Sequence, residues 1–133
     1  VDWHQDATFL HSDPQRIIGF WLALDDACID NGCLWVRPGS HRNGVVRRWQ
    51  RKAEGGFGYV DLGAPPPEGG EGIPLAVPAG TLVLLSDCVF HRSGVNTSTD
   101  YRQAYALHVM DGRSIHGPHN WLRRRRDLPF RGF

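Results

Sequence analysis

The sequence predicts an all-β domain with little helix, and two observations support this class. Short apolar runs alternate with turn residues along the 133-residue chain, a pattern typical of strands joined by tight connections. Apolar residues make up 41% of the chain and charged residues 22%, as expected for one globular domain that can bury a core without staples. We therefore treat residues 1–133 as a single domain.

The charge balance argues against a nucleic-acid-binding role. The formal net charge is +1, and the one dense basic run, Arg123 to Arg126, lacks interleaved aromatic residues and directly precedes Asp127. Such a local run is typical of a solvated segment. We expect a small-molecule substrate as the partner, with no nucleic acid and no membrane.

The cysteines and the ends of the chain suggest a cellular setting. Cys28, Cys33 and Cys88 are an odd number without a Cys-x-x-Cys spacing, which favours a reducing, cytoplasmic compartment over a disulfide framework. No stretch is long and apolar enough to cross a membrane. The chain opens at Val1 and reaches its candidate ligands almost at once, so we expect it to be the C-terminal portion of a longer domain.

The apolar runs place the elements in order. A first strand is predicted to include residues 3–10, and 17–24 reads as a strand buried on both faces because it is apolar throughout. Between them, a turn is predicted at His11-Ser12-Asp13-Pro14. The segment 43–72 is polar and rich in glycine and proline, and it predicts a long insertion loop. Further strands are predicted at 33–36, 73–77, 81–86, 89–91 and 101–110.

The tetrapeptide Trp3-His4-Gln5-Asp6 carries the first chemical signal. In an extended strand, residues two apart share a face, so His4 and Asp6 would present an imidazole and a carboxylate side by side. These are two members of the facial triad of two histidines and one carboxylate that holds a metal and leaves open coordination positions. By itself the pair is also compatible with a surface histidine beside a solvated carboxylate.

The late strands offer the missing parts. His91 lies beside a glycine-containing turn and is a plausible distal third ligand, whereas His41 reads as a loop histidine. On the strand 101–110, Arg102 shares a face with two alanines and His108, which gives an arginine with room beside it for a small carboxylate. Arg102 follows His91 by eleven residues, so we expect the two to meet across an antiparallel return.

Taken together, several motifs resemble the phytanoyl-CoA dioxygenase family of Fe(II)/2-oxoglutarate-dependent oxygenases. The resemblance covers nearly the whole chain. Two tail motifs, Asn120-Trp121-Leu122 and Leu128-Pro129-Phe130, are most similar to the domain-containing protein 1 branch of this family. The other motifs are Trp3-His4-Gln5-Asp6, Asn31-Gly32-Cys33-Leu34-Trp35, Arg37-Pro38-Gly39-Ser40-His41, His91-Arg92-Ser93-Gly94 and Arg102.

The resemblance implies a fold and a reaction. The fold would be a double-stranded β-helix, the jelly roll of the cupins, incomplete at its N-terminal end. The reaction would be hydroxylation of a small organic or acyl-type substrate with O2, Fe(II) and 2-oxoglutarate, releasing succinate and CO2, with ascorbate as a supporting reductant. Asp6 is intact, so the chain does not resemble the halogenating relatives, which carry a small residue there.

The resemblance also assigns residues. His4, Asp6 and His91 would be the iron ligands, and Arg102 would pair with the distal carboxylate of 2-oxoglutarate. Gln5, Trp21 and Ser93 match positions that contact the cosubstrate.

Two other functions remain open from the residues alone. A jelly-roll metalloenzyme that does not use 2-oxoglutarate is one, because two histidines and a carboxylate also suit zinc. A catalytically inactive binding domain that keeps the fold is the other. The anion clamp at Arg102 favours 2-oxoglutarate chemistry over the first, and succinate release tests the second.

Overall fold

A computed structural model describes residues 1–63, 70 and 72–132 of the chain. The described residues form short antiparallel strands and two 3-10 turns, η1 at Asp6–Thr8 and η2 at Ser40–Asn43. The all-β expectation is thus confirmed. The strands are β1 (Ser12–Asp13), β2 (Ile17–Ala23), β3 (Leu34–Val36), β4 (Arg47–Arg51), β5 (Phe57–Asp61), β6 (Ile73–Leu75), β7 (Leu82–Ser86), β8 (His91–Ser93), β9 (Ala104–Met110) and β10 (Ile115–His116).

Two three-stranded sheets enclose the core in the manner of a jelly roll. One has the order β7-β2-β9 and the other the order β6-β3-β8. Strand β2 contributes Trp21 and Ala23 to the core, β7 contributes Leu85, and the second sheet contributes Leu34 with the neighbouring Cys33. Burial of these side chains on facing sheets is the main force that holds the sandwich together.

Strand β2 shows how the sheet is divided between its two faces. Ile17, Trp21 and Ala23 are buried, whereas Ile18 is 48% exposed. The alternation means that β2 is buried on one face, so the expectation of a doubly buried strand is wrong. Strand β7 shows a similar alternation, with Leu85 buried and Leu84 exposed. A continuous apolar run does not reveal which of its residues face solvent. Successive side chains of a strand point to opposite faces of the sheet whether or not they are polar.

Two other expectations are corrected by the local structure. The first predicted strand is reduced to an isolated bridge between His4 and His91, because the backbone turns at Asp6–Thr8 into η1, where Phe9 N donates to Asp6 O. The segment 43–72 is not simply a loop, since β4 and β5 pair as a hairpin within it. Its residues 64–69 and 71 lie outside the described part.

The remaining features concern the surface. The side chains of the Arg123–Arg126 run are exposed, and Arg125 pairs with Asp127. The three cysteines are free thiols, with Cys33 buried. Among the described residues, no helix has the length and apolar character needed to span a bilayer.

Candidate metal centre

Strand pairing brings His4 and His91 together from opposite ends of the chain. The two residues exchange both backbone hydrogen bonds, His4 N to His91 O and His91 N to His4 O, each at 3.0 Å. Their rings consequently lie 4.3 Å apart between centroids. Two residues after His4, the backbone turns into η1 and carries the buried Asp6 carboxylate beneath both rings.

The three side chains converge on one carboxylate oxygen. Asp6 Oδ1 lies 3.8 Å from His4 Nε2 and 3.7 Å from His91 Nε2. Two ligands of one ion, each bound at about 2.1 Å, can be at most about 4.2 Å apart. Both separations fall within that limit. The geometry therefore agrees with the sequence prediction that these three residues lie together.

The outer nitrogens of both rings are held by the backbone. His4 Nδ1 lies 2.8 Å from the carbonyl oxygen of Asp2, and His91 Nδ1 lies 3.1 Å from that of Val89. A carbonyl oxygen only accepts, so each Nδ1 carries the hydrogen and each neutral ring has an unprotonated Nε2 facing Asp6. This is the arrangement by which metal-binding histidines are oriented in proteins.

Burial and charge act on the site in opposite directions. Burial lowers the pKa of His91 despite the attraction of Asp6, which favours the neutral ring that binds metals. Burial alone would raise the pKa of Asp6, but the hydrogen bond from His108 and the charges of the surrounding histidines lower it overall. A deprotonated carboxylate beside neutral imidazoles is the donor set of a divalent transition metal.

His108 is a member of the site that sequence reasoning did not assign. Its Nε2 lies 3.0 Å from Asp6 Oδ2, and this hydrogen bond raises its pKa. The residue sits on β9 opposite Gly19 of β2. Its place on the same strand face as Arg102 was the available signal, but only the pairing of β9 with β2 shows that this face reaches Asp6.

A cavity of about 240 Å³ adjoins the three candidate ligands. Its lining includes the side chains of the site, namely His4, Asp6, His91 and His108. It also includes Trp21 and Ser93, two of the residues predicted to contact the cosubstrate. Leu34 and Ser93 are paired in register on β3 and β8, so the serine faces the interior with the core leucine. The cavity is therefore bounded by both sheets.

Gln5 lies in a different environment from the other predicted cosubstrate contacts. Its side chain is fully buried, and its amide donates both hydrogens to backbone carbonyls, of Gly44 and Cys88, each at 2.7 Å. Its oxygen accepts from Val46 N. These bonds connect the start of η1 to the backbone at Gly44, Val46 and Cys88. Gln5 therefore has a structural role in addition to its predicted contact with the cosubstrate.

Arg102 approaches the cavity from an unexpected direction. It precedes β9, which belongs to the sheet opposite the one that contains His91. The expected antiparallel return between neighbouring strands is therefore wrong, because β9 crosses to pair with β2. The guanidinium lies over the Trp21 ring, 5.7 Å from its centroid, and its buried Nε has no hydrogen-bond partner among the described residues. An unpartnered guanidinium hydrogen next to Trp21, a residue that lines the cavity, fits an anionic ligand.

The fold and this site define a class of protein, the jelly-roll proteins with a His-Asp-His group that could hold a metal ion. The family model for phytanoyl-CoA dioxygenase (PhyH) matches residues 1–104. The rat phytanoyl-CoA dioxygenase domain-containing protein 1 is 44% identical over 134 residues, covering 98% of this chain. The chain belongs to the phytanoyl-CoA dioxygenase (PhyH) family.

Solved structures agree on the fold. The non-heme alpha-ketoglutarate-dependent carbocyclase SnoK from nogalamycin biosynthesis matches with a TM-score of 0.67 and 23% identity, over 90% of this chain and 47% of its own. The apo form of the non-heme monooxygenase ThoJ matches with a TM-score of 0.63 and 26% identity, over 86% and 41%. The jelly-roll expectation is confirmed. The chain spans 46% of the rat relative.

Proposed function

We propose that this chain carries the catalytic centre of an Fe(II)/2-oxoglutarate-dependent hydroxylase. The observation that carries the proposal is the convergence of His4 and His91 on Asp6 Oδ1, with each ring's Nδ1 facing a backbone carbonyl oxygen and each Nε2 facing the carboxylate. Membership of the PhyH family supports the same reaction class. When bound, Fe(II) would supply oxygen activation coupled to decarboxylation of 2-oxoglutarate to succinate and CO2.

The chain's own residues divide the remaining work. His4, Asp6 and His91 hold the metal at three positions and leave the others open. Arg102 anchors the far carboxylate of 2-oxoglutarate through its planar guanidinium, which Trp21 supports from below. Ala104 and Ala106 lie between Arg102 and His108 along the same face of β9, and their short side chains leave length for the cosubstrate.

A second cavity, of about 340 Å³, shares His4 with the first. Its walls are mainly aromatic and apolar, including Phe9, Phe90 and Tyr59, with Arg47 beside Tyr59. An apolar wall next to a metal ligand suits a substrate that presents a carbon–hydrogen bond. We propose that this cavity receives the small organic or acyl-type substrate.

The metal proposal is tested by binding. His4→Ala and His91→Ala should each abolish tight Co(II) or Fe(II) binding in calorimetry, because each removes one of three ligands. His41→Ala is the matched control, since His41 is exposed on η2. Wild-type affinity in the His4 and His91 variants would disprove the site. Zinc binding without any succinate release would favour the metalloenzyme that does not use 2-oxoglutarate. Binding of both metal and 2-oxoglutarate without succinate release would favour the inactive binding domain.

The cosubstrate proposal is tested at Arg102. Arg102→Lys keeps the charge but loses the two-pronged hydrogen bonding, so the KM for 2-oxoglutarate should rise at least about tenfold with metal affinity unchanged. Arg113→Lys is the control, because Arg113 is exposed and pairs with Asp111. An unchanged KM in the Arg102 variant would contradict the assignment.

We also propose that full turnover needs the length of polypeptide found in the relatives. The outer face of the sheet β7-β2-β9 exposes large apolar side chains, among them Ile18, Leu84, Tyr105 and Leu107, and an apolar face of this kind favours association. We expect the 133-residue chain to bind metal yet show weak, uncoupled 2-oxoglutarate turnover. A family-length protein should be more soluble and active, and equal solubility and turnover for both would contradict this.

A further inference from the structure

The two oxygens of the Asp6 carboxylate have different partners. Oδ1 faces His4 and His91 at 3.8 and 3.7 Å, beyond hydrogen-bonding distance. Oδ2 lies 3.0 Å from His108 Nε2, which is an ordinary hydrogen bond. The carboxylate is thus fixed through one oxygen while the other remains directed at the Nε2 atoms of His4 and His91.

The backbone explains why Asp6 can reach this position. Gly19 and His108 are paired in register on β2 and β9, so they occupy the same face. A Cβ atom at Gly19 would lie 3.2 Å from Asp6 Oδ2 and 3.5 Å from His108 Nε2. The first of these contacts is tighter than a side chain normally tolerates. Glycine at this position therefore leaves the space over β2 in which the carboxylate meets the imidazole.

We infer that His108 is a positioning residue that holds Asp6 as a one-oxygen metal ligand, with Gly19 providing the space. The inference rests on the proposed metal centre and deepens it. His108 Nε2 donates its hydrogen to Oδ2, and Oδ1 is left to bind the metal. Because a carboxylate free to rotate can bind through both oxygens, fixing Oδ2 keeps one more coordination position open for the cosubstrate.

His108 differs from the two ligand histidines in its hydrogen bonding. Each ring of His4 and His91 bonds a backbone carbonyl oxygen through Nδ1 and directs Nε2 into the site. His108 Nε2 must carry a hydrogen to bond the carboxylate, and its Nδ1 has no hydrogen-bond partner in the described part of the chain. Its side chain is also 35% exposed. These features fit His108 as an orienting partner of Asp6 rather than a fourth ligand.

The test measures metal affinity with Co(II) alone, without cosubstrate or turnover. His108→Leu removes the hydrogen-bond donor, and we expect Co(II) affinity to fall about 10- to 100-fold, the usual effect of losing a partner that orients a ligand. His108→Gln restores an N–H donor at a similar distance from the backbone and should recover most of the affinity. His41→Leu, an exposed histidine outside the site, should bind as the wild type does.

A second variant tests the space rather than the donor. Gly19→Ala should displace the carboxylate from His108 and lower Co(II) affinity by about the same factor, with a changed visible absorption spectrum of the bound Co(II). His108→Gln should keep the wild-type spectrum, which a general loss of packing at position 108 would not produce. Circular dichroism of each variant establishes that it is folded before titration, and a folded Gly19→Ala decides the matter if His108→Leu unfolds.

The outcomes separate this inference from the proposed function. If His4→Ala abolishes Co(II) binding while His108→Leu and Gly19→Ala bind as tightly as His41→Leu, the metal centre stands and the positioning role is overturned. If His108→Gln binds as weakly as His108→Leu, a donor at Oδ2 is not what matters, and the inference is likewise overturned. If His4→Ala binds Co(II) normally, the proposed function itself fails.

Discussion

This small domain contains two groups of histidines, one next to a negatively charged carboxylate and the other next to a positively charged arginine. The first, the Asp6 cluster, is formed by His4, His91 and His108 around a buried carboxylate. The second, the Arg48 cluster, is formed by His11 with His116 and His119 near Arg48. It adjoins a cavity of about 430 Å³ lined in part by His11, Arg48 and His119, which is larger than the cavity beside the Asp6 cluster.

The comparison shows that burial and neighbouring charge, and not the histidine itself, decide what each group can do. Burial is the leading cause that lowers the pKa of His11, to about 4, and the positive charge of Arg48 lowers it further. In the Asp6 cluster the carboxylate instead raises the pKa of His108. Among the described residues, the metal-compatible grouping is His4, Asp6 and His91. A cavity's size is therefore a poor guide to its chemistry here.

The largest expected difference between the clusters is their response to a metal. Co(II) at about 100 times its Kd should stabilise the wild-type protein by about 2.7 kcal/mol, because only the folded state assembles the ligands. EDTA should reverse this. His11→Gln should keep the full stabilisation and His91→Ala should lose it, as measured by thermal unfolding with and without Co(II). Equal stabilisation of the His91 variant would place the metal elsewhere.

The next effect concerns pH and the Arg48 cluster. A buried histidine with a depressed pKa gives its full stability above the unfolded value of about 6.5 and loses it as the pH falls toward about 4. Between pH 7 and 5 the His11 contribution to the free energy of unfolding should fall by about 2 kcal/mol. Urea unfolding in EDTA measures it as the difference between wild type and His11→Gln. Parallel pH profiles for the two proteins would contradict the assignment.

The smallest effect isolates the charge of Arg48. Burial is the first cause of the lowered His11 pKa and Arg48 the second, so Arg48→Met should raise that pKa modestly, with a change of less than about 1 kcal/mol in stability at pH 5. NMR titration of the His11 ring provides the measurement. Arg42→Met, an exposed arginine on η2, should leave the titration unchanged. If the pKa of His11 does not rise in the Arg48→Met variant, the charge of Arg48 does not act on His11.

Local sequence was sufficient for half of the ten described strands, namely β2, β3, β6, β7 and β9. Strands β3 and β9 lie within the predicted segments because short apolar runs bounded by turn residues favour extended structure. His4, Asp6 and His91 were identified from residue type and spacing together with a family resemblance. Asn120, part of a tail motif, is fully buried and bonds the backbone of His11 through both its oxygen and its nitrogen. These bonds give Asn120 a structural role that the sequence alone did not reveal.

The sequence thus determined the all-β class and, together with the family resemblance, the candidate ligands His4, Asp6 and His91, because these depend on composition, residue type and local motifs. Only the tertiary structure decided the rest. The bridge between His4 and His91 joins residues 87 positions apart, the turn at Asp6–Thr8 replaces the expected strand, and β9 pairs with β2 so that His108 meets Asp6 over Gly19. Such contacts depend on strand register and sheet order, which long-range packing selects and which no local pattern encodes.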